Sequence, residues 1–153
     1  MLEPIDFASA NCIVEFGPGT GVFTHKLLEK MKPDAKLLSF EINPSFIEEL
    51  QKINDPRLIL INDSAEKIED YLAQYHCASA DYIISSLPFA MIPDAVVHNI
   101  LTNSDNALSE NGKYIQFQYS LNARKKLESY FSEVSIAFTF MNLPPAFIYS
   151  CKK

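Results

Sequence analysis

The sequence predicts an α/β protein built on a doubly wound, mostly parallel sheet of seven strands that closes with an antiparallel pair. Three observations predict it. Short β-rich apolar runs alternate with amphipathic segments along the chain, as buried parallel strands and crossover helices do. Three of the four glycines, Gly17, Gly19 and Gly21, crowd into five positions directly after the first run. The tail abandons the alternation, placing two β-rich stretches in succession with no helix between them.

The first strand is CIVEF, a continuous apolar run of the kind buried on both faces of a sheet. KLLSFE, RLILIN, DYIISS and KYIQFQ follow as the second to fifth strands. Helices are expected over Val22 to Met31, Pro44 to Ile53, Ala65 to Tyr75, Pro93 to Leu108 and Asn122 to Tyr130. The second opens on a proline, which suits a first helical turn, and breakers such as Pro33, Pro56 and Gly112 stand near the helix ends. SEVSIAFTFMN and PPAFIYSCK, joined through Asn142-Leu143-Pro144-Pro145, give the terminal antiparallel pair. No linker, repeat or low-complexity tract divides the 153 residues, so a single domain spanning 1–153 is expected.

Composition bounds the function. Hydrophobic residues are 48% of the chain and charged ones 21%, a balance that sustains a packed core. A net charge of -6 counts against nucleic acid as a partner, since that binding is driven by cationic surface that releases counterions. Cys12, Cys77 and Cys151 are odd in number and far apart, which suits three free thiols in a reducing cytoplasm. No apolar run is long enough to cross a bilayer, and MLEPIDFASA has acids where a secretory leader carries lysines. His25, His76 and His98 have no partners at suggestive spacing and are assigned no role.

A glycine turn between a buried strand and a helix lets the backbone pass close to a ligand while the helix start offers unpaired N–H groups. A dinucleotide fingerprint needs its third glycine three residues after the second, and that position is Val22. The pattern present is acidic-x-Gly-x-Gly-x-Gly, led by Glu15. It resembles motif I of the class I S-adenosylmethionine-dependent methyltransferases, and the fold the resemblance implies is their Rossmann-like one. Three further marks fall at the carboxyl ends of strands, where open α/β sheets gather ligands. Glu41 ends the second strand with a carboxylate that can accept from both hydroxyls of a ribose. Ile42 after it offers an apolar face for adenine or packs inside. Asp63 ends the third strand, where in the resembled family an acid or its neighbour meets the adenine amine. Ser64 is expected both there and as a helix cap. Ser85, ending the fourth strand, joins this cofactor set.

The methyl acceptor is addressed by Ser86-Leu87-Pro88-Phe89, which resembles the Asn-Pro-Pro-Tyr or Asn-Leu-Pro-Tyr motif of amino-methylating enzymes. The resemblance implies that the Ser86 side chain and the Leu87 carbonyl accept from the target amine while the Phe89 ring stacks on the substrate. Serine reaches less far than asparagine, and phenylalanine lacks the tyrosine hydroxyl. With Gln116-Phe117-Gln118-Tyr119-Ser120 and Asn142-Leu143-Pro144-Pro145-Ala146, the set resembles the bacterial phospholipid N-methyltransferases that act on phosphatidylethanolamine, over roughly residues 5 to 151. Motif I is shared with the rRNA adenine dimethyltransferases. Transfer is an in-line displacement that needs alignment and no metal, and it leaves S-adenosylhomocysteine as product. Tyr119 is expected to relay the amine's proton or orient it, and Phe89 and Tyr119 to offer a face to the methylated cation. Phe147 and Tyr149 are expected in the strand core. In the resembled lipid enzymes a helical segment precedes the first strand, and the short stretch before Asn11 departs from that pattern. Arg124-Lys125-Lys126 and Lys152-Lys153 are solvated faces that would also touch anionic lipid at the inner membrane face. Three readings stay open: a phospholipid amine methyltransferase, an rRNA or small-amine methyltransferase, and a non-catalytic S-adenosylmethionine-binding domain.

Overall fold

The computed structural model describes residues 2–140 and 145–153. Seven strands, β1 (Cys12–Phe16), β2 (Lys36–Phe40), β3 (Leu58–Ile61), β4 (Ala80–Ser85), β5 (Leu108–Gln118), β6 (Glu133–Thr139) and β7 (Ala146–Lys152), form one sheet in the order β3-β2-β1-β4-β5-β7-β6. The first five run parallel, and β7 inserts antiparallel between β5 and β6. Among the described residues five α-helices accompany them: α1 (Val22–Lys30), α2 (Pro44–Leu50), α3 (Ile68–Gln74), α4 (Asp94–Ala107) and α5 (Arg124–Glu128).

The period-2 alternation of the strands sorts side chains into two cores. Val14 and Phe16 of β1, with Leu38, Ile83, Tyr114 and Tyr149, pack under Ile68 and Leu72 of α3, Val97 and Leu101 of α4 and Leu127 of α5. Ile13, Leu37, Ile84 and Ile115 face the other way, onto Leu27 and Leu28 of α1. All five residues of β1 are buried, as a strand covered by helices on both faces requires. Tyr149 lies in the first core, and Phe147 packs against its edge beside Phe138. The tail is thus a strand pair, although its connection through Asn142, Leu143 and Pro144 falls outside the described residues.

Two local features differ from the sequence reading. The third and fifth helices each open with a 3₁₀ turn, Ala65–Lys67 and Leu121–Ala123, before the α-helix proper. Gly112 is not a helix stop. The fourth helix ends at Ala107 and β5 begins at once, but its register against β4 jumps from Ala80↔Leu108 to Tyr82↔Lys113. Gly112 sits in that irregularity, where a Cβ would come within 3.0 Å of Leu108 Cδ2, the Ser109 carbonyl and Ser109 Oγ, so the need is for close approach.

Strand order reverses between β1 and β4, which pair from Ile13↔Tyr82 to Phe16↔Ser85. The chain leaves these neighbours toward opposite flanks of the sheet, opening a crevice beyond their carboxyl ends. Phe16 O accepts from the Ser86 N–H and Phe40 O from the Gly17 N–H, so backbone bonds continue past the strands and bring both exits together.

Candidate active site

The glycine loop forms one wall. Gly17 has φ +69°, and a Cβ there would lie 3.1 Å from Leu87 Cδ2, so only glycine allows the first loop residue to touch the segment leaving β4. Gly19, at φ +55°, would meet nothing within 4 Å; its backbone faces open space. Gly21 is the N-cap residue of α1.

Two buried carboxylates stand near this loop, and one of them bonds it. Glu41, 7% exposed, accepts the Gly19 N–H at Oε2 (3.2 Å) and the Asn43 N–H at Oε1 (2.9 Å), leaving each oxygen a further lone pair. Asn62 Nδ2 donates to the Glu41 carbonyl (2.8 Å) and fixes its backbone. Glu15, 2% exposed, accepts the Thr24 hydroxyl (2.8 Å) and the Ser39 hydroxyl (2.9 Å), both at Oε2, while its Oε1 is buried without a partner among the described residues. Burial raises the Glu15 carboxyl from 4.5 to about 7, since an ion deprived of water is disfavoured; the two hydroxyl donors pull the other way and the Glu41 charge adds to the rise.

A cavity of about 310 Å³ lies above the strand ends, lined by Gly17, Glu41, Ile42, Asp63, Ser64 and Leu87 of the expected residues. Phe40, Ile92, Val96 and Ile100 make its remaining walls largely apolar. Asp63 accepts from Ser64 N (2.8 Å), Tyr71 Oη (2.8 Å) and Lys67 Nζ (3.0 Å), with the Lys67 bond first among the causes that lower its pKa. Ser64 Oγ accepts the Glu66 N–H and so caps the 3₁₀ turn. Ile42 is 73% exposed at the rim. Glu15, Gly19, Gly21, Ser85 and Ser86 are not in the lining. Ser85 is fully buried, with Oγ accepting the Leu87 N–H (3.3 Å) inside the turn.

This cavity fits the adenosyl portion of S-adenosylmethionine. Apolar walls suit a planar base, and Glu41 and Asp63 are acceptors at its edge. Glu15, whose Oε1 is without a partner among the described residues, lies in the strand that leads into the glycine loop and outside this lining. Among the described residues no cluster of His, Cys, Asp and Glu is arranged to hold a metal ion.

The acceptor-side residues spread over two faces. A second cavity, about 280 Å³, lies between Phe89 and the strand-five exit, lined in part by Gln118, Ser120, Asp94 and Lys126. Phe89 is buried in the first core. Tyr119 is 59% exposed and packs edge-on against Phe117 (5.2 Å between ring centres) on the α1 side, so the sheet separates it from Phe89. The Ser86 hydroxyl makes no hydrogen bond among the described residues. The Leu87 carbonyl already accepts from Gln116 Nε2 (3.0 Å) and Gln118 Nε2 (2.9 Å). The sequence reading gave these glutamines no role, and the available signal was their i, i+2 spacing at a strand end, which puts both on one face.

The profile of the methyltransferase-domain family matches residues 13–112. An ornithine lipid N-methyltransferase of Singulisphaera acidiphila is 25% identical over 151 residues, 97% of this chain and 79% of that protein. The ribosomal RNA small subunit methyltransferase A of Mycoplasmopsis synoviae is 28% identical over 93 residues, 56% of this chain and 31% of its own length. Among solved structures, the precorrin-6y C5,15-methyltransferase of Geobacter metallireducens superposes with a TM-score of 0.73 at 16% identity, over 94% of this chain and 82% of its own. Human methyltransferase-like protein 13, in complex with S-adenosylhomocysteine, gives 0.70 at 15%, over 95% and 73%. The structural likeness bears on fold and the profile match on family: the chain belongs to the methyltransferase-domain family and is an S-adenosylmethionine-dependent methyltransferase.

Proposed function

We propose that the protein methylates the primary amine of a membrane lipid head group, of the phosphatidylethanolamine type or a related amino-lipid. The observation that carries this reading is the likeness to an ornithine lipid N-methyltransferase over 97% of the chain. The Ser86-Leu87-Pro88-Phe89 segment, standing beside the glycine loop at the strand-order reversal, supports nitrogen as the nucleophile. The net charge of -6 favours a lipid over ribosomal RNA.

In this reading the 310 Å³ cavity holds the adenosyl group, with Glu41 accepting from the ribose and Asp63 and Ser64 at the base edge. The bound donor supplies an electrophilic methyl group on a sulfonium. The chain supplies alignment, worth several kcal/mol when nucleophile and methyl are held in line. Ser86 and Leu87 orient the amine and Phe89 closes the apolar side of the second cavity, while Tyr119, across the sheet from Phe89, is given no part in it. No helix among the described residues is long and apolar enough to cross a membrane, so contact with lipid is peripheral in this proposal. The basic clusters are partly neutralised: Lys126 pairs with Asp94 (2.6 Å), Arg124 with Glu128 (2.7 Å) and Lys152 with Glu133 (3.0 Å). Exposed Ile42, Met91 and Leu121, each just past the carboxyl end of a strand, offer apolar contact instead.

The test is methyl transfer from labelled S-adenosylmethionine to vesicles of phosphatidylethanolamine, vesicles of ornithine lipid and ribosomal RNA, in parallel. Label in a lipid amine is expected. Label in RNA alone, or saturable S-adenosylhomocysteine binding with transfer to none of the three, would overturn the proposal.

A further inference from the structure

Strand β5 places Gln116 and Gln118 on one face at its carboxyl end, and both side-chain amides reach the Leu87 carbonyl. A carbonyl oxygen has two lone pairs, so these donors saturate the group expected to receive the acceptor amine. The two glutamines are not equivalent. Gln116 is fully buried, its Nε2 also donates to the Phe117 carbonyl (3.1 Å), and its Oε1 accepts the Tyr114 hydroxyl (2.7 Å). Tyr114 is fully buried as well. Moving Gln116 would strand several buried polar groups at once, each costly without a partner.

Gln118 is half-buried and lines the 280 Å³ cavity, and its side chain's one hydrogen bond among the described residues is that to Leu87. Because Nε2 is engaged, the amide presents Oε1 as a free acceptor. Space to withdraw into adjoins it.

We propose that Gln118 is a specificity-determining residue that keeps the place of the acceptor amine on the Leu87 carbonyl and yields it when the amine enters from the second cavity. This rests on the reading of the substrate as an amine. Exchange replaces one neutral N–H···O bond with another, so a nucleophile that brings its own N–H enters without leaving the lone pair that Gln118 held empty, while Gln116 keeps the other. A nucleophile lacking a donor breaks the Gln118 bond and returns nothing. The arrangement therefore selects for an amine that keeps an N–H while its lone pair attacks.

The experiment measures binding of mixed micelles carrying phosphatidylethanolamine to the full chain saturated with S-adenosylhomocysteine, for wild type and Gln118→Met. Methionine keeps length and bulk but cannot donate. Removing the competitor should tighten binding about two- to ten-fold, the range of one net hydrogen bond. In the wild type, the Gln118 side-chain amide resonance should shift on micelle addition while that of Gln116 stays, a readout that stands even if the variant folds poorly. Equal or weaker binding by Gln118→Met, or an unmoved Gln118 resonance in the bound state, would overturn this inference and leave the proposed function standing. Failure of both proteins to bind amine-bearing micles while labelling RNA would overturn both.

Discussion

Glu15→Gln tests the electrostatics of the strand that leads into the glycine loop. Glu15 is 2% exposed, carries an Oε1 without a partner among the described residues, and has its carboxyl raised from 4.5 to about 7 mainly by burial. Below pH 4.5 the folded and unfolded chains both hold this proton. As pH rises through 4.5 the unfolded chain releases it while the folded one keeps it until about pH 7, so the folded state binds more protons and stability falls across that window. Each pKa unit corresponds to about 1.4 kcal/mol, which makes the loss about 3 kcal/mol, complete above pH 7. Glutamine does not titrate, and its carbonyl can still accept from Thr24 and Ser39. Contributions from the other titrating groups are common to both proteins and cancel in the difference. Urea unfolding of wild type and variant at pH 4.5, 5.5, 6.5 and 7.5 should therefore show the variant gaining on the wild type by about 3 kcal/mol over the series. A difference constant to within about 0.5 kcal/mol would refute the reasoning, for it would mean that Glu15 ionises as easily when folded as when unfolded.

Gly17→Ala combines a left-handed φ with a Cβ 3.1 Å from Leu87 Cδ2; it should cost about 1–3 kcal/mol in thermal unfolding and weaken S-adenosylhomocysteine binding by calorimetry. Glu41→Gln replaces charge-assisted acceptors with one neutral oxygen and should lower that affinity about ten-fold or more, with little change in the melting temperature relative to Gly17→Ala. Arg57 clamps the C-terminal end of α1, donating to Leu28 O (2.7 Å), Met31 O (2.6 Å) and the Asp55 carboxylate (2.7 Å). Arg57→Met should cost about 2–3 kcal/mol in urea unfolding while leaving S-adenosylhomocysteine affinity within about two-fold, since the clamp is at the opposite end of α1 from the glycine loop.

Much of the frame was legible because it rests on periodicity. CIVEF, KLLSFE and DYIISS are apolar on both parities, and only a strand covered on both faces needs that. The glycine cluster was legible because the chain has so few glycines elsewhere. What escaped was set by pairing across distance. Nothing local tells β7 to enter between β5 and β6, and nothing in Gly112 separates a helix stop from a register irregularity until β4 is laid beside it. Arg57 reads as an ordinary surface cation until its guanidinium is found on the carbonyls of α1. The separation of Tyr119 from Phe89 was within reach: Tyr119 has the parity of Phe117, and Gln118 that of Gln116 and Tyr114, so neighbours in sequence address opposite faces.

Leu87 joins the two halves of the site. Its side chain lines the 310 Å³ cavity and lies where a Cβ on Gly17 would collide, while its carbonyl, turned to the glutamines of β5, faces the side of the second cavity. The peptide is thus clamped from the side of the first cavity by the glycine loop and from the β5 side by Gln116. Its N–H is bound to Ser85 Oγ and the N–H before it to Phe16 O, which leaves this short exit little freedom to tilt. In the proposed function a rigid wall of this kind would fix the direction from which the acceptor approaches, and direction is what an in-line displacement requires. The reversal of strand order between β1 and β4 is the physical origin of the wall: it makes neighbours of the two strand exits while sending their helices to opposite faces, so Leu87 can line the first cavity with its side chain and hold Gln118, which lines the second, with its carbonyl.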